Sequence, residues 1–378
     1  MLTTLIAEQL FDGNNIINNQ AISFEDGKVI ALEAVKGSKE IKVSGLLSPG
    51  FIDVQVNGGG GYLFNHDTNL PALKAMVLAH SRYGTTAMLP TLITSDIATI
   101  RAAADTVALA MKDKVAGIIG VHFEGPHISE PKKGIHSSEH IRELSEQELE
   151  IYCRDDLGVK IVTLAPESVT TAQIKCLTAH NVKVCLGHSN ASFDTTQIAL
   201  AAGAAGFTHL FNAMSPLSSR EPNMLGAALL DEHSWCGLIL DGHHVHPATA
   251  KLANRAKKIG KMMLVTDSMS TIGSDQQVFE FDGHQIQLSG DKLTSQTGQL
   301  AGSALNMITA VNNAQMMLDV SLEEALRMAC VYPADFLGLN TETPQLAIGA
   351  NADFTLLEYG NNSALHVSQT WIGGKQIY

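Results

Sequence analysis

Eight short apolar runs recur between Phe51 and Ser268, with helix-like segments separating most of them, and this alternation limits the fold more than any other feature. The runs are FIDVQVN (51–57), TTAMLPTL (85–92), GIIGVHFE (117–124), VKIVTLA (159–165), VKVCLGH (182–188), AGFTHLFN (205–212), WCGLILDGHH (235–244) and KMMLVTDS (261–268). Helical stretches are expected at 70–83, 97–113, 145–154, 191–202 and 247–259. Buried strands joined by helices build parallel sheets, and eight such units in roughly 250 residues match a (β/α)8 TIM barrel. A doubly wound sheet would alternate too, but no G-x-G-x-x-G follows the first run and no G-x-x-x-x-G-K-[ST] occurs. The expected class is therefore α/β, a TIM barrel.

The two ends of the chain have a different texture. QAISFEDGKVIALEA, with a hairpin-like Asp26-Gly27, lies in residues 2–48, and similar short β-type runs fill residues 347–378. Neither end could bury a core alone. The economical reading is one small β-sandwich domain from residues 1–48 and 345–378, beside a barrel domain over 49–344.

In a barrel the chemistry sits at the C-terminal ends of the strands. Here those ends carry Gln55 and Asn57, Glu124, His188, His209, Asp241 with His243 and His244, and Asp267, while the strand starts are apolar. Taken singly, Glu124 would read as a solvated strand end, His188 and His209 as hydrogen-bonded core histidines, and Asp267 as a helix cap. Together, one Glu and two His at the ends of the third, fifth and sixth strands match the His₂Glu set of a catalytic zinc. Asp267 would then be a suitable general base. His122 reads as a satisfied core histidine and Cys185 as a small buried hydrophobe.

The motifs PGFIDVQVNG, HFEGPHI with KKGIH, LGHSNA, THLFNAMSP, REPN, DGHHVHP, VTDSM, LAGSAL and GANADF run in order along nearly the whole chain. In them the chain resembles the N-acetylglucosamine-6-phosphate deacetylases of the amidohydrolase superfamily. The resemblance implies Glu124, His188 and His209 as ligands of one divalent metal per subunit, zinc being expected. It also implies Asp267 as acid and base, and His136 as the group that polarises the acetamide carbonyl. Arg220 and His244 would grip the sugar phosphate, with His244 reaching across a homodimer interface. Asn212 and Ala213 would line the sugar pocket, as would Leu300, Ala301 and Gly302, chiefly through backbone groups. The first strand lacks the H-x-H of two-metal relatives, so Gln55 and Asn57 mark the single-metal branch, and Gly58 to Gly61 read as a turn passing close to the site. The fourth strand ends in TLAPE, with no lysine to bridge two metals.

Phosphate at the 6-position leaves the C4 epimer open, so N-acetylgalactosamine 6-phosphate stands as an alternative substrate. A non-catalytic sugar-phosphate-binding relative is an alternative of another class. The net charge of −13 disfavours nucleic acid and anionic membranes as partners. Five cysteines without a CxxC pair, no basic leader and no long apolar run together suggest a cytoplasmic enzyme.

Overall fold

The structure is a computed structural model and describes residues 1–339, 346–360 and 363–378. Eight parallel strands form one sheet in chain order: Phe51–Val56, Thr85–Ile93, Gly120–Glu124, Val159–Leu164, Val182–Leu186, Gly206–Phe207, Trp235–Leu238 and Met262–Leu264. Each lies within or beside one of the eight apolar runs. Every residue of the first three is buried, as expected of strands covered on both faces. Backbone bonds close the seam between the last strand and the first. Asp267 N donates to Gln55 O at 2.9 Å, and Asn57 N donates to Ser268 O at 2.9 Å.

The intervening helices start where the sequence provides caps. Asn69 accepts from Ala72 N ahead of Leu70–Ser81, and Asp96 accepts from Ala98 N and Thr99 N ahead of Ile97–Lys112. Ser145 and Glu148 form a reciprocal capping box at the start of Glu146–Tyr152.

Both ends of the chain join a single seven-stranded sheet. Its centre is Lys39–Pro49, which runs parallel to Thr3–Phe11 on one side and antiparallel to Phe354–Tyr359 on the other. Leu5, Ile22, Phe24, Leu47, Phe354 and Trp371 give this sheet an apolar cluster of its own. The expected hairpin is present: Asp26 (φ 49°) and Gly27 (φ 79°) connect Ile16–Glu25 to Lys28–Ala31. The boundary expected between 344 and 345 lies outside the described residues.

One element is additional to the eightfold pattern. After the last barrel strand, Val278–Phe281, His284–Ser289 and Lys292–Ser295 form a three-stranded antiparallel sheet. Phe279, Phe281, Ile286 and Leu293 pack it against Leu63, Ile93 and Met269 at the C-terminal end of the barrel. The chain leaving this sheet, through Gln299, Leu300 and Gly302, forms one wall of the cavity below.

Candidate active site

A cavity of about 250 Å³ opens at the C-terminal ends of the strands. Its floor holds Glu124, His188 and His209, all buried to 5% exposure or less. Glu124 Oε1 lies 2.9 Å from His209 Nε2 and 3.3 Å from His188 Nε2, and the two Nε2 atoms are 3.0 Å apart. His188 Nδ1 lies 2.9 Å from the carbonyl of Lys132, so it carries the ring proton and its Nε2 faces inward as a bare lone pair. Electron pairs from two rings and a carboxylate brought this close call for a cation between them. The donor set therefore fits one divalent metal of the His₂Glu kind.

Asp267 stands beside this group. Gln55 Nε2 donates both to Glu124 Oε1 at 3.0 Å and to Asp267 Oδ1 at 3.1 Å, tying the two carboxylates together. Asn57 Nδ2 donates to the same Oδ1 at 2.6 Å. Both bonds fall on Oδ1, so Oδ2 has no protein partner among the described residues. Burial and the nearby Glu124 charge push Asp267 up to about 6. The two amides of the first strand are thus holders of the carboxylate.

Backbone conformation singles out the same residues. His188 (φ 47°), His209 (φ 29°) and Asp267 (φ 53°) all adopt the left-handed region that side-chain-bearing residues rarely occupy. Such conformations cost about 1–3 kcal/mol each and collect at functional sites.

His136 completes the inner wall. Its Nδ1 lies 2.7 Å from Thr94 Oγ1 and its ring packs 4.2 Å from that of His188. Burial pushes His136 well below the usual imidazole range, so it is neutral. His122 is a satisfied core histidine, bonded to Val54 O and Thr163 Oγ1. Cys185 is buried and free.

Asn212, Ala213, Leu300 and Gly302 line the cavity. The other three expected substrate contacts lie as follows. Ala301 is fully buried, packed inward with Met269 and Phe279. Arg220 sits in an exposed loop outside the cavity lining, which contains no lysine or arginine. His244, expected to reach into a neighbouring subunit, lines this chain's own cavity. It is anchored there because Asp241 Oδ2 accepts from its Nδ1 at 2.6 Å.

Two supporting residues escape the sequence reading. Thr94 follows the second strand and orients His136. Glu167, in the TLAPE segment, accepts from Ser189 Oγ at 2.7 Å and Asn190 N at 2.6 Å and so fixes the turn carrying His188. Both lie just past strand ends, where barrel chemistry concentrates, and that position is the signal that could have found them.

Comparison with known proteins agrees with this geometry. Residues 46–377 match the model of the Amidohydrolase family. An N-acetylgalactosamine-6-phosphate deacetylase of Shewanella sp. (strain ANA-3) is 47% identical over 96% of this chain and 93% of its own length. An N-acetylglucosamine-6-phosphate deacetylase of Vibrio furnissii is 34% identical over 94% of this chain and 89% of its own. The crystal structure of N-acetylglucosamine-6-phosphate deacetylase from Pasteurella multocida superposes with a TM-score of 0.94 at 31% identity, covering 100% of this chain and 99% of that one. With a barrel carrying its polar residues at the strand ends and a family match over most of its length, the chain belongs to the amidohydrolase family.

Proposed function

We propose that this chain is a metal-dependent hydrolase that removes the acetyl group of an N-acetylhexosamine 6-phosphate, giving acetate and the amino sugar 6-phosphate. The observation that carries the reading is the convergence of Glu124, His188 and His209 with Asp267 beside them, joined through Gln55. The substrate class comes from the full-length relatives, all named as deacetylases of such sugars.

Glu124 Oε1, His188 Nε2 and His209 Nε2 would hold one divalent cation, zinc in this reading, which supplies Lewis-acid chemistry toward the acetamide carbonyl and a water. Asp267 takes a proton from the attacking water through its free Oδ2 and later delivers it to the leaving amine nitrogen. Gln55 and Asn57 keep that carboxylate aimed. The neutral His136 accepts at Nδ1 from the Thr94 hydroxyl, which places its proton on Nε2. From there it donates to the carbonyl oxygen as negative charge builds. Asn212, Ala213, Leu300, Gly302 and His244 contact the sugar. His244 acts within its own chain, and Arg220 meets the phosphate at the rim, where a permanently charged fork suits it. The working unit in this reading is a cytoplasmic homodimer, with residues 1–48 and 345–378 as one domain and 49–344 as the other. Among the described residues, no helix is long and apolar enough to cross a membrane.

The deciding experiment incubates zinc-loaded protein with N-acetylglucosamine 6-phosphate and N-acetylgalactosamine 6-phosphate side by side and measures acetate. Release from neither would overturn the reading. The overall resemblance suggests the gluco sugar, whereas the 47% identity to a galactosamine enzyme favours the galacto epimer. The ratio of the two kcat/KM values decides between them.

A further inference from the structure

On the barrel face away from the cavity, near the starts of the fourth and fifth strands, two helix C-termini meet. Glu146–Tyr152 ends at Cys153, and Thr171–Ala179 ends at His180, one turn beyond Cys176. Residues four apart on a helix share a face, so Cys176 and His180 project together. The two sulfurs and an imidazole nitrogen all lie within 4.8 Å of one another, with 4.0 Å between Cys176 Sγ and His180 Nδ1. None of the three takes part in the site described above.

The surroundings favour a cation. Helix C-termini carry partial negative charge, and the carbonyls here already attract one: Lys160 Nζ donates to Arg154 O at 2.8 Å and His180 O at 2.9 Å. That ammonium serves the backbone and makes no hydrogen bond to the thiols. A divalent ion between the two sulfurs and the imidazole nitrogen would be held by all three donors. Cys153 and Cys176 are half-buried and His180 is exposed, so an ion can enter and water can fill a fourth position. Two thiolates and an imidazole select a thiophilic ion over magnesium or calcium.

We propose that Cys153, Cys176 and His180 form a second metal site for a divalent cation of the zinc class, which clips the end of one helix to its neighbour. Ligation through His180 Nδ1 exchanges that atom's 2.9 Å hydrogen bond to Cys176 O. This site differs chemically from the catalytic group, which contains no sulfur. It stands whether or not the proposed deacetylase activity does.

The sulfur makes the test specific. The full-length protein, kept reduced and preloaded with zinc at one equivalent, is titrated with cadmium while the ultraviolet thiolate-to-cadmium charge-transfer band is followed. The expected band saturates at one cadmium per chain and is lost in the Cys153→Ser, Cys176→Ser double variant, whose acetate release stays within about twofold of the parent. His180→Ala weakens cadmium binding at least tenfold. In the unmutated protein, cadmium protects Cys153 and Cys176 from alkylation as mapped by mass spectrometry, a measurement independent of how any variant folds. Absence of the band, its survival in the double variant, or equal alkylation of both cysteines with and without cadmium overturns the proposal.

Discussion

Replacing Asn57 with alanine removes one of the two donors on Asp267 Oδ1, a 2.6 Å bond to a buried carboxylate. A hydrogen bond to a charged group contributes about 1.5–3 kcal/mol, and 1.36 kcal/mol corresponds to one pKa unit. The bond stabilises only the ionised form, so its loss raises the Asp267 pKa above its present value of about 6 by about one to two units. Gln55 still holds the same oxygen at 3.1 Å, and water can enter the space left by the amide. Both effects favour the lower end of that range. Asp267 must be ionised to take a proton from water, so activity is present above its pKa and lost below it. The acid limb of kcat/KM for acetate release, measured from pH 5 to 9 at saturating zinc, should therefore move to higher pH by about one unit. Parent and variant carry the same cation, so the difference isolates the amide. A limb that stays in place while the plateau falls would refute the assignment of Asp267 as the titrating base.

Asp53, beneath the same floor, is pushed up to about 7 by burial, against hydrogen bonds from Thr266 and Gln55. Its folded-state pKa lies above the unfolded value, so the native protein holds a proton that the unfolded chain has released between about pH 4 and 7. Stability therefore falls as pH rises through that window, by up to about 4 kcal/mol. Asp53→Asn should flatten that slope in urea midpoints taken at pH 5 and 8, and an unchanged slope would count against it. Gly58→Ala would place a methyl group 2.4 Å from Tyr62 O and 2.8 Å from Ser270 N, so about 1–3 kcal/mol should be lost in chemical denaturation. Glu124→Ala should lose one equivalent of zinc by elemental analysis together with acetate release, and a variant keeping both would break the ligand assignment. Mixing His244→Ala with Asp267→Asn subunits should restore no activity, because His244 serves its own chain; rescue in proven heterodimers would place it across an interface.

The barrel was legible because its strands are buried on both faces and so read as near-continuous apolar runs, in which Glu124, His188 and His209 stand out. The three-stranded sheet over 278–295 left a fainter mark. Its strands are half-exposed, and its clearest signal is a short turn at Asp282-Gly283, with φ of 49° and 73°. Thr94 and Glu167 were missed because a threonine or glutamate after a strand has many ordinary uses. Only the long-range contacts, 42 residues for Thr94 with His136 and 22 for Glu167 with Ser189, show what they hold. Nor could the pattern tell that Ala301 turns inward while Leu300 and Gly302 face the cavity. That depends on packing against the extra sheet.

The bonds from Gln55 and Asn57 to Asp267 join residues 212 and 210 positions apart, across the seam where the eighth strand meets the first. All three proposed metal ligands come from the third, fifth and sixth strands, so they can assemble while that seam is still open. The general base cannot, because its alignment depends on contacts that form only when the ring shuts. Contacts of such separation demand the largest ordering of chain before they are rewarded. During refolding, metal capture should therefore precede recovery of hydrolysis, and the interval between the two would time the closing of the barrel.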